Sequence, residues 1–155
     1  MLQFNEMGLL TPTKAIETNL VEFRATFVFN ERREMLFSTY LNFLEELKSL
    51  EINNYFQYID GSFTTQKTFP NDIDVVSFVD FKAYKLKKTR LLALKERYKS
   101  KGIDAYFAEY YPESHPLSPT NQYQINDWFD VYGPTKPIGQ QRKIFKKGFL
   151  SINFS

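Results

Sequence analysis

An α/β (α+β) domain, built on a mixed β-sheet with helices packed on one of its faces, is the fold this sequence predicts, and three observations support it. Residues 55–60 and 73–79 are short β-branched and aromatic runs bounded by Gly, Pro and Asn, which is the composition of strands. Residues 31–50 and 82–100 carry apolar side chains at helical spacing. A further strand-like run, 103–109, follows the second of these stretches, and a connection of helix length suits a crossover to a parallel or mixed neighbour.

Taken in order, residues 1–17 contain Gly8 and Pro12, show no clear period and read as irregular. Thr18 is placed to cap a short helix through Phe27, with Leu20, Phe23 and Phe27 at helical spacing. Asn30 suits the N-cap of the helix over 31–50, whose apolar stripe is Leu36, Tyr40, Leu44, Leu47 and Leu50. After the strands 55–60 and 73–79, the helix 82–100 keeps Tyr84, Leu91, Leu94 and Tyr98 on one face and stops at Gly102. Residues 110–121 hold Pro112, Pro116 and Pro119 and must be loop. A short helix over 124–131 follows, Gly133, Pro134 and Pro137 break it, and the tail 147–154 alternates like a last strand.

A chain of 155 residues fits a single domain, 1–155, and its 16 Phe and 10 Tyr predict a core built from large rings. It has no Cys, hence no disulfide and no thiolate metal site, and a reducing cytoplasmic setting is expected. The opening residues lack a basic segment followed by an apolar one, and no apolar run approaches the ~20 residues that span a bilayer, so no membrane partner is expected. Charge is segregated. Residues 82–101 carry nine cations against the single acid Glu96, a balance of +8 that leaves −6 on the rest of a +2 chain.

The chemistry concentrates around the first two strands. Side chains alternate along a strand, so Asp72 and Asp74 project to one side at the start of the second. Adjacent carboxylates repel, and a divalent cation between them is the simplest compensation. Gly61 lets the backbone approach a ligand closely, and the Ser62 hydroxyl and amide can hold a phosphate oxygen. Together they suggest a site for Mg²⁺ or Mn²⁺ and a polyphosphate. Lys67, in the turn between the two strands, is the nearest cation, and the bland alternative for it is a solvated lysine.

Gly61-Ser62, nine intervening residues, then Asp72-x-Asp74 in an apolar strand resembles the signature of the polymerase-β-type nucleotidyltransferase superfamily. Around it the chain is similar to small bacterial nucleotidyltransferase-like proteins, with weaker matches at Gly8–Pro12, at Phe29–Arg33 and at Lys147-Gly148-Phe149. The resemblance implies a nucleotidyltransferase fold and a third carboxylate on a later strand, best matched by Asp104. It implies transfer of a nucleoside monophosphate from an NTP such as ATP. Asp72 and Asp74 would hold two metal ions, Asp104 would ligate one or take the acceptor's proton, and Gly61 and Ser62 would hold the β- and γ-phosphates. Relatives of this type act in toxin–antitoxin and phage-defence systems on tRNA or on a protein side chain, which makes a cognate toxin or antitoxin a possible partner. Many of them place an Arg soon after the Gly-Ser pair, where this chain has Phe63-Thr64-Thr65.

The basic face of 82–101, with Lys85, Lys88 and Lys95, reads either as a solvated helix surface or as a seat for an RNA acceptor's phosphates. Tyr84, Tyr98, Tyr110, Tyr111 and Trp128 read first as packing residues, and His115, between prolines, has no partner at ligand spacing. The alternative to an enzyme is a non-catalytic module of the same fold that binds a partner protein or RNA.

Overall fold

A computed structural model describes residues 1–155. The chain begins with β1 (Gln3–Phe4) and β2 (Leu10–Thr11), an antiparallel pair, and continues through β3 (Ala15–Thr18), α1 (Leu20–Phe27) and α2 (Glu31–Ser49). Then come β4 (Tyr55–Asp60), a 3-10 turn at Ser62–Thr64, β5 (Ile73–Asp80), α3 (Phe81–Lys99), β6 (Ile103–Tyr110), α4 (Thr120–Tyr132) and β7 (Phe149–Phe154). Five strands form one mixed sheet in the order β3-β7-β4-β5-β6. Within it, β4 is antiparallel to both β5 and β7, whereas β5–β6 and β3–β7 are parallel. The predicted α+β class and the parallel crossover through α3 are therefore present. No helix is long and apolar enough to cross a membrane.

The helix starts follow from short polar side chains that replace missing backbone acceptors. Asn30 caps α2 as expected, accepting from Arg33 N at 2.9 Å. At α1 the cap is Asn19, not Thr18: Asn19 accepts from Glu22 N at 2.9 Å, while Thr18 donates its hydroxyl to the Glu22 carboxylate at 2.8 Å. Asp80 ends β5 and caps α3, accepting from Lys82 N and Ala83 N, so strand passes into helix without a loop.

Alternation along the strands divides the molecule into two cores. One face of the sheet, with Ile59, Val75 and Ile103, packs under α1, α2 and α3. Rings dominate there as composition predicts: Phe23 meets Phe27, Phe37, Tyr40 and Phe63 edge to face, at centroid distances of 5.5–5.8 Å. Two buried polar groups on this face satisfy each other, Gln57 donating to Ser77 Oγ at 2.9 Å and accepting from the Tyr40 hydroxyl. The other face, with Tyr58, Val76, Phe78 and Phe149, is covered by Trp128, Phe129 and Tyr132 of α4. Helices on one face only is thus corrected. The α4 segment buries only Tyr132 and covers the sheet with the half-buried Ile125, Trp128 and Phe129, so few of its positions mark a sheet-facing side.

Two further expectations change. Residues 1–17 are not irregular, because β3 pairs in parallel with β7, Ala15 opposite Phe149, and no local period reports so distant a partner. The last helix spans 120–132, starting four residues ahead of the predicted 124 and taking in the end of the predicted loop, with Pro119 immediately before its first residue.

Candidate carboxylate and phosphate site

Register brings the acidic residues together. Asp60 at the end of β4 lies opposite Asp74 of β5, and Asp74 lies opposite Asp104 of β6, so three adjacent strands present a row of carboxylates on the α4 face. Directly opposed side chains in such a ladder sit ~4.5–5.5 Å apart at Cβ, where like charges are destabilising. Asp72 stands one residue ahead of β5 and two ahead of Asp74, near enough for its charge to act on Asp74.

The repulsion is visible in the proton affinities. Asp74 is pushed up from 3.8 to about 7, first by burial and then by the charges of Asp72, Asp104 and Asp60, with Lys136 opposing. Asp72 is raised by burial and by Asp104, against Lys136, Lys67 and Arg32. Burial also raises Asp60, but a buried ion pair with Lys147 opposes it, and Lys147 Nζ donates in addition to Tyr132 O at 3.0 Å. Asp60 is thereby neutralised, which leaves Asp72, Asp74 and Asp104 as the free carboxylates. The Tyr132 hydroxyl is buried without a hydrogen-bond partner, and burial, then the charges of Asp74, Asp60 and Asp104, raise it far above its ordinary value. The Tyr106 hydroxyl donates to Asp104 Oδ2 at 3.5 Å.

Gly61 is required by its neighbour as much as by its own turn. Its φ is +88°, and a Cβ there would overlap Asp74 Oδ2 and stand 3.0 Å from Asp74 Cγ. Ser62 opens the 3-10 turn beside it, and Phe63 drives that turn into the aromatic core. The loop that follows is held by Arg33. Its guanidinium is fully buried and donates to the carbonyls of Phe27 (3.0 Å), Phe63 (2.7 Å), Thr65 (2.8 Å) and Lys67 (3.1 Å from Nε). The Phe29 and Phe63 rings lie 4.3 and 4.9 Å from its Cζ, and burial lowers its pKa to about 10. Arg32 binds Pro70 O at 3.1 Å and Asn71 O at 2.8 Å, immediately ahead of Asp72. The first turn of α2 thus shapes the whole 61–72 loop. In the sequence Arg32 and Arg33 stand out only within a weak resemblance, because carbonyl acceptors leave no trace in residue identity.

Among the residues singled out from sequence, Gly61, Asp74 and Asp104 meet in one row, with Asp72, Ser62 and Lys67 around it. The cation that leads in opposing the raised affinities of Asp72 and Asp74 is Lys136, in the Gly133–Pro137 segment whose sequence marks only a helix break. Of the basic residues on α3, Lys95 sits with its ammonium 4.0 Å from the Tyr106 ring centre, next to the carboxylate row. Lys85 and Lys88 are exposed and lie ~15 and ~10 Å back along the helix from Lys95, at ~1.5 Å per residue. Tyr98 packs on Phe43, Tyr111 stacks with Phe81, His115 fills the gap against both Phe81 and Tyr111, and Trp128 lies between Tyr106 and Tyr132.

The donor set is oxygen only, which suits a hard divalent cation. No three His, Cys, Asp or Glu side chains are gathered closely enough to hold a metal ion by themselves. A cation carried in on phosphates needs only one or two carboxylates, since the phosphates and water supply the remaining oxygens, and Asp72 with Asp74 meets that requirement. No curated protein and no solved structure matches the chain. A family model does match, over residues 2–153, and the protein accordingly belongs to DUF6932, a family of unknown function.

Proposed function

We propose that this protein is a nucleotidyltransferase that moves a nucleoside monophosphate from an NTP to an RNA or protein acceptor. The observation that supports it is the row of unpaired carboxylates beside Gly61, with Asp74 raised to about 7, set among the cations Lys136, Lys67 and Arg32. Acids with cations from three separate segments around them suit a triphosphate and its counter-ion. In this reading the sheet, with its Gly-Ser turn and its parallel third carboxylate strand, is of the nucleotidyltransferase type.

Asp72 and Asp74 would hold Mg²⁺ or Mn²⁺, which when bound would neutralise charge on the phosphates and the departing pyrophosphate. Lys67, Lys136 and the Ser62 hydroxyl and amide would grip the β- and γ-phosphates, with Gly61 letting them approach the backbone. An acceptor oxygen forms the new bond to the α-phosphorus, the bond to the β-phosphate oxygen breaks, and pyrophosphate leaves. Asp104 takes the acceptor's proton, and the Tyr106 hydroxyl orients it. A cytoplasmic role in a toxin–antitoxin or defence system fits this chemistry.

Incubation with α-labelled NTPs, tRNA and cell extract tests the reading. Label should pass to a macromolecule only with Mg²⁺ or Mn²⁺ and not in Asp74→Asn; absence of transfer with every NTP and acceptor tried would refute it. The openness of the carboxylate set favours a second reading, a non-catalytic module, which metal-dependent NTP binding without transfer would select.

A further inference from the structure

The segment between α4 and β7 folds into an irregular hairpin. Pro134 bridges Lys146, Ile138 bridges Lys143, and Thr135 N donates to Phe145 O at 2.7 Å. Its tip, from Gly139 to Arg142, turns through two positive-φ residues. Lys136, Arg142, Lys143 and Lys146 are all exposed, none has an acidic partner, and no Asp or Glu occurs from Val131 to the end of the chain. Ile138 and Ile144 are exposed as well, so the outer part of the hairpin is not packed on the body.

Its root is fastened at the carboxylate row. Lys147 N donates to Gly133 O at 2.8 Å, while the Lys147 ammonium is paired with Asp60 and with Tyr132 O. Lys136, on the outgoing strand, is the leading cation acting on Asp72 and Asp74. The arm therefore projects from the site itself.

We propose that the hairpin 134–146 is an RNA-binding arm that lays the phosphate backbone of a single-stranded acceptor across the carboxylate row. Arg142, Lys143 and Lys146 follow one another over five residues, up to ~13 Å at ~3.3 Å per extended residue, which suits a line of phosphates better than one phosphate group. Half-buried Tyr106 and Trp128, packed on each other at 5.3 Å beside Asp104, form a partly exposed aromatic surface for a base to pack against, with Lys95 over Tyr106 extending the positive surface. Cations with stacking faces are what a single-stranded nucleic acid uses and an acidic peptide does not. Two grooves of about 540 and 270 Å³ around Tyr55 and Phe154 share no residue with the hairpin. The assignment names the acceptor class for the transfer proposed above and rests on that reading.

Binding of a fluorescent single-stranded RNA and of tRNA, without NTP or metal, provides the test. R142E/K143E/K146E should bind at least ~10-fold more weakly than the unaltered protein, with the dependence of log K on log salt flattened by about 2 for three lost phosphate contacts. K85E/K88E on α3 should lose less. A neutral triple, R142Q/K143Q/K146Q, should fall between, and all three variants should keep the unaltered melting temperature. No RNA binding by the unaltered protein, an unchanged affinity in the hairpin triple, or an equal or larger loss in the α3 variant would overturn the arm. NTP- and Mn²⁺-dependent melting shifts are read separately: their absence alongside RNA binding counts against nucleotidyl transfer, and their presence without RNA binding counts against the arm alone.

Discussion

Replacing Gly61 by alanine probes whether the turn was shaped by its own backbone or by the carboxylate beside it. Gly61 has φ +88° and ψ −169°, a region that side-chain-bearing residues hardly enter, at a cost of ~1–3 kcal/mol. The added methyl would also overlap Asp74 Oδ2, with Asp74 Cγ 3.0 Å away, and moving that side chain out of the row should cost a further ~1–3 kcal/mol. The expected loss is then ~4 kcal/mol, or ~8–16 °C in melting temperature for a chain of this size. In an Asp74→Ala background the nearest remaining atom is Asp74 Cβ at 3.6 Å, an ordinary contact, so only the backbone part should persist. Urea unfolding of the four proteins at pH 7 would give the coupling directly, expected at ~1–3 kcal/mol. Losses that add to within ~0.5 kcal/mol would show that the carboxylate does not dictate the glycine and would refute the reasoning.

Asp74→Asn should change the response to pH and to metal in opposite senses. Because folding raises the Asp74 pKa from 3.8 to about 7, its stabilising contribution is complete below pH ~4 and lost as pH rises through 7. The rise converts to ~4 kcal/mol, reduced to ~2 for a partly exposed and coupled group, so the asparagine variant should out-melt the parent by ~4–8 °C at pH 8 and by little at pH 4. Mg²⁺ or Mn²⁺ with NTP should raise the melting temperature of the parent and not of this variant, as differential scanning fluorimetry would report. Arg33→Lys keeps the charge but not the planar fork, so several carbonyls of the 61–67 loop should lose their donor; ~3 kcal/mol of lost stability and faster amide exchange at Gln66 and Lys67 are expected. Lys147→Met should cost ~3–5 kcal/mol in chemical denaturation by leaving Asp60 buried and unpaired, and adding Asp60→Leu should recover most of it.

Local chemistry made the central elements legible. Turn residues around 55–60 and 73–79, the Asn30 cap and the helical stripes over 31–50 and 82–100 each act within a few residues, and the structure follows them closely. Asp72 and Asp74 are two residues apart in sequence, and, after burial, Asp72 is the leading charge that raises Asp74 from one residue ahead of β5. What sequence could not show was anything decided by register or by backbone acceptors. Asp60 joins the row because β4 pairs antiparallel with β5, and it then leaves the free set because Lys147, 87 residues away, reaches it. Arg33 disappears into carbonyls that no residue name records, β3 waits for β7, and the charge of Lys136 acts on the carboxylates from a hairpin whose root Lys147 and Tyr132 anchor. Period and capping are encoded over one or two turns of chain, whereas a site of opposed charges forms only once distant strands have aligned. Residue types therefore determined which chemistry is present, and the tertiary fold decided which carboxylates remain free and which cations surround them.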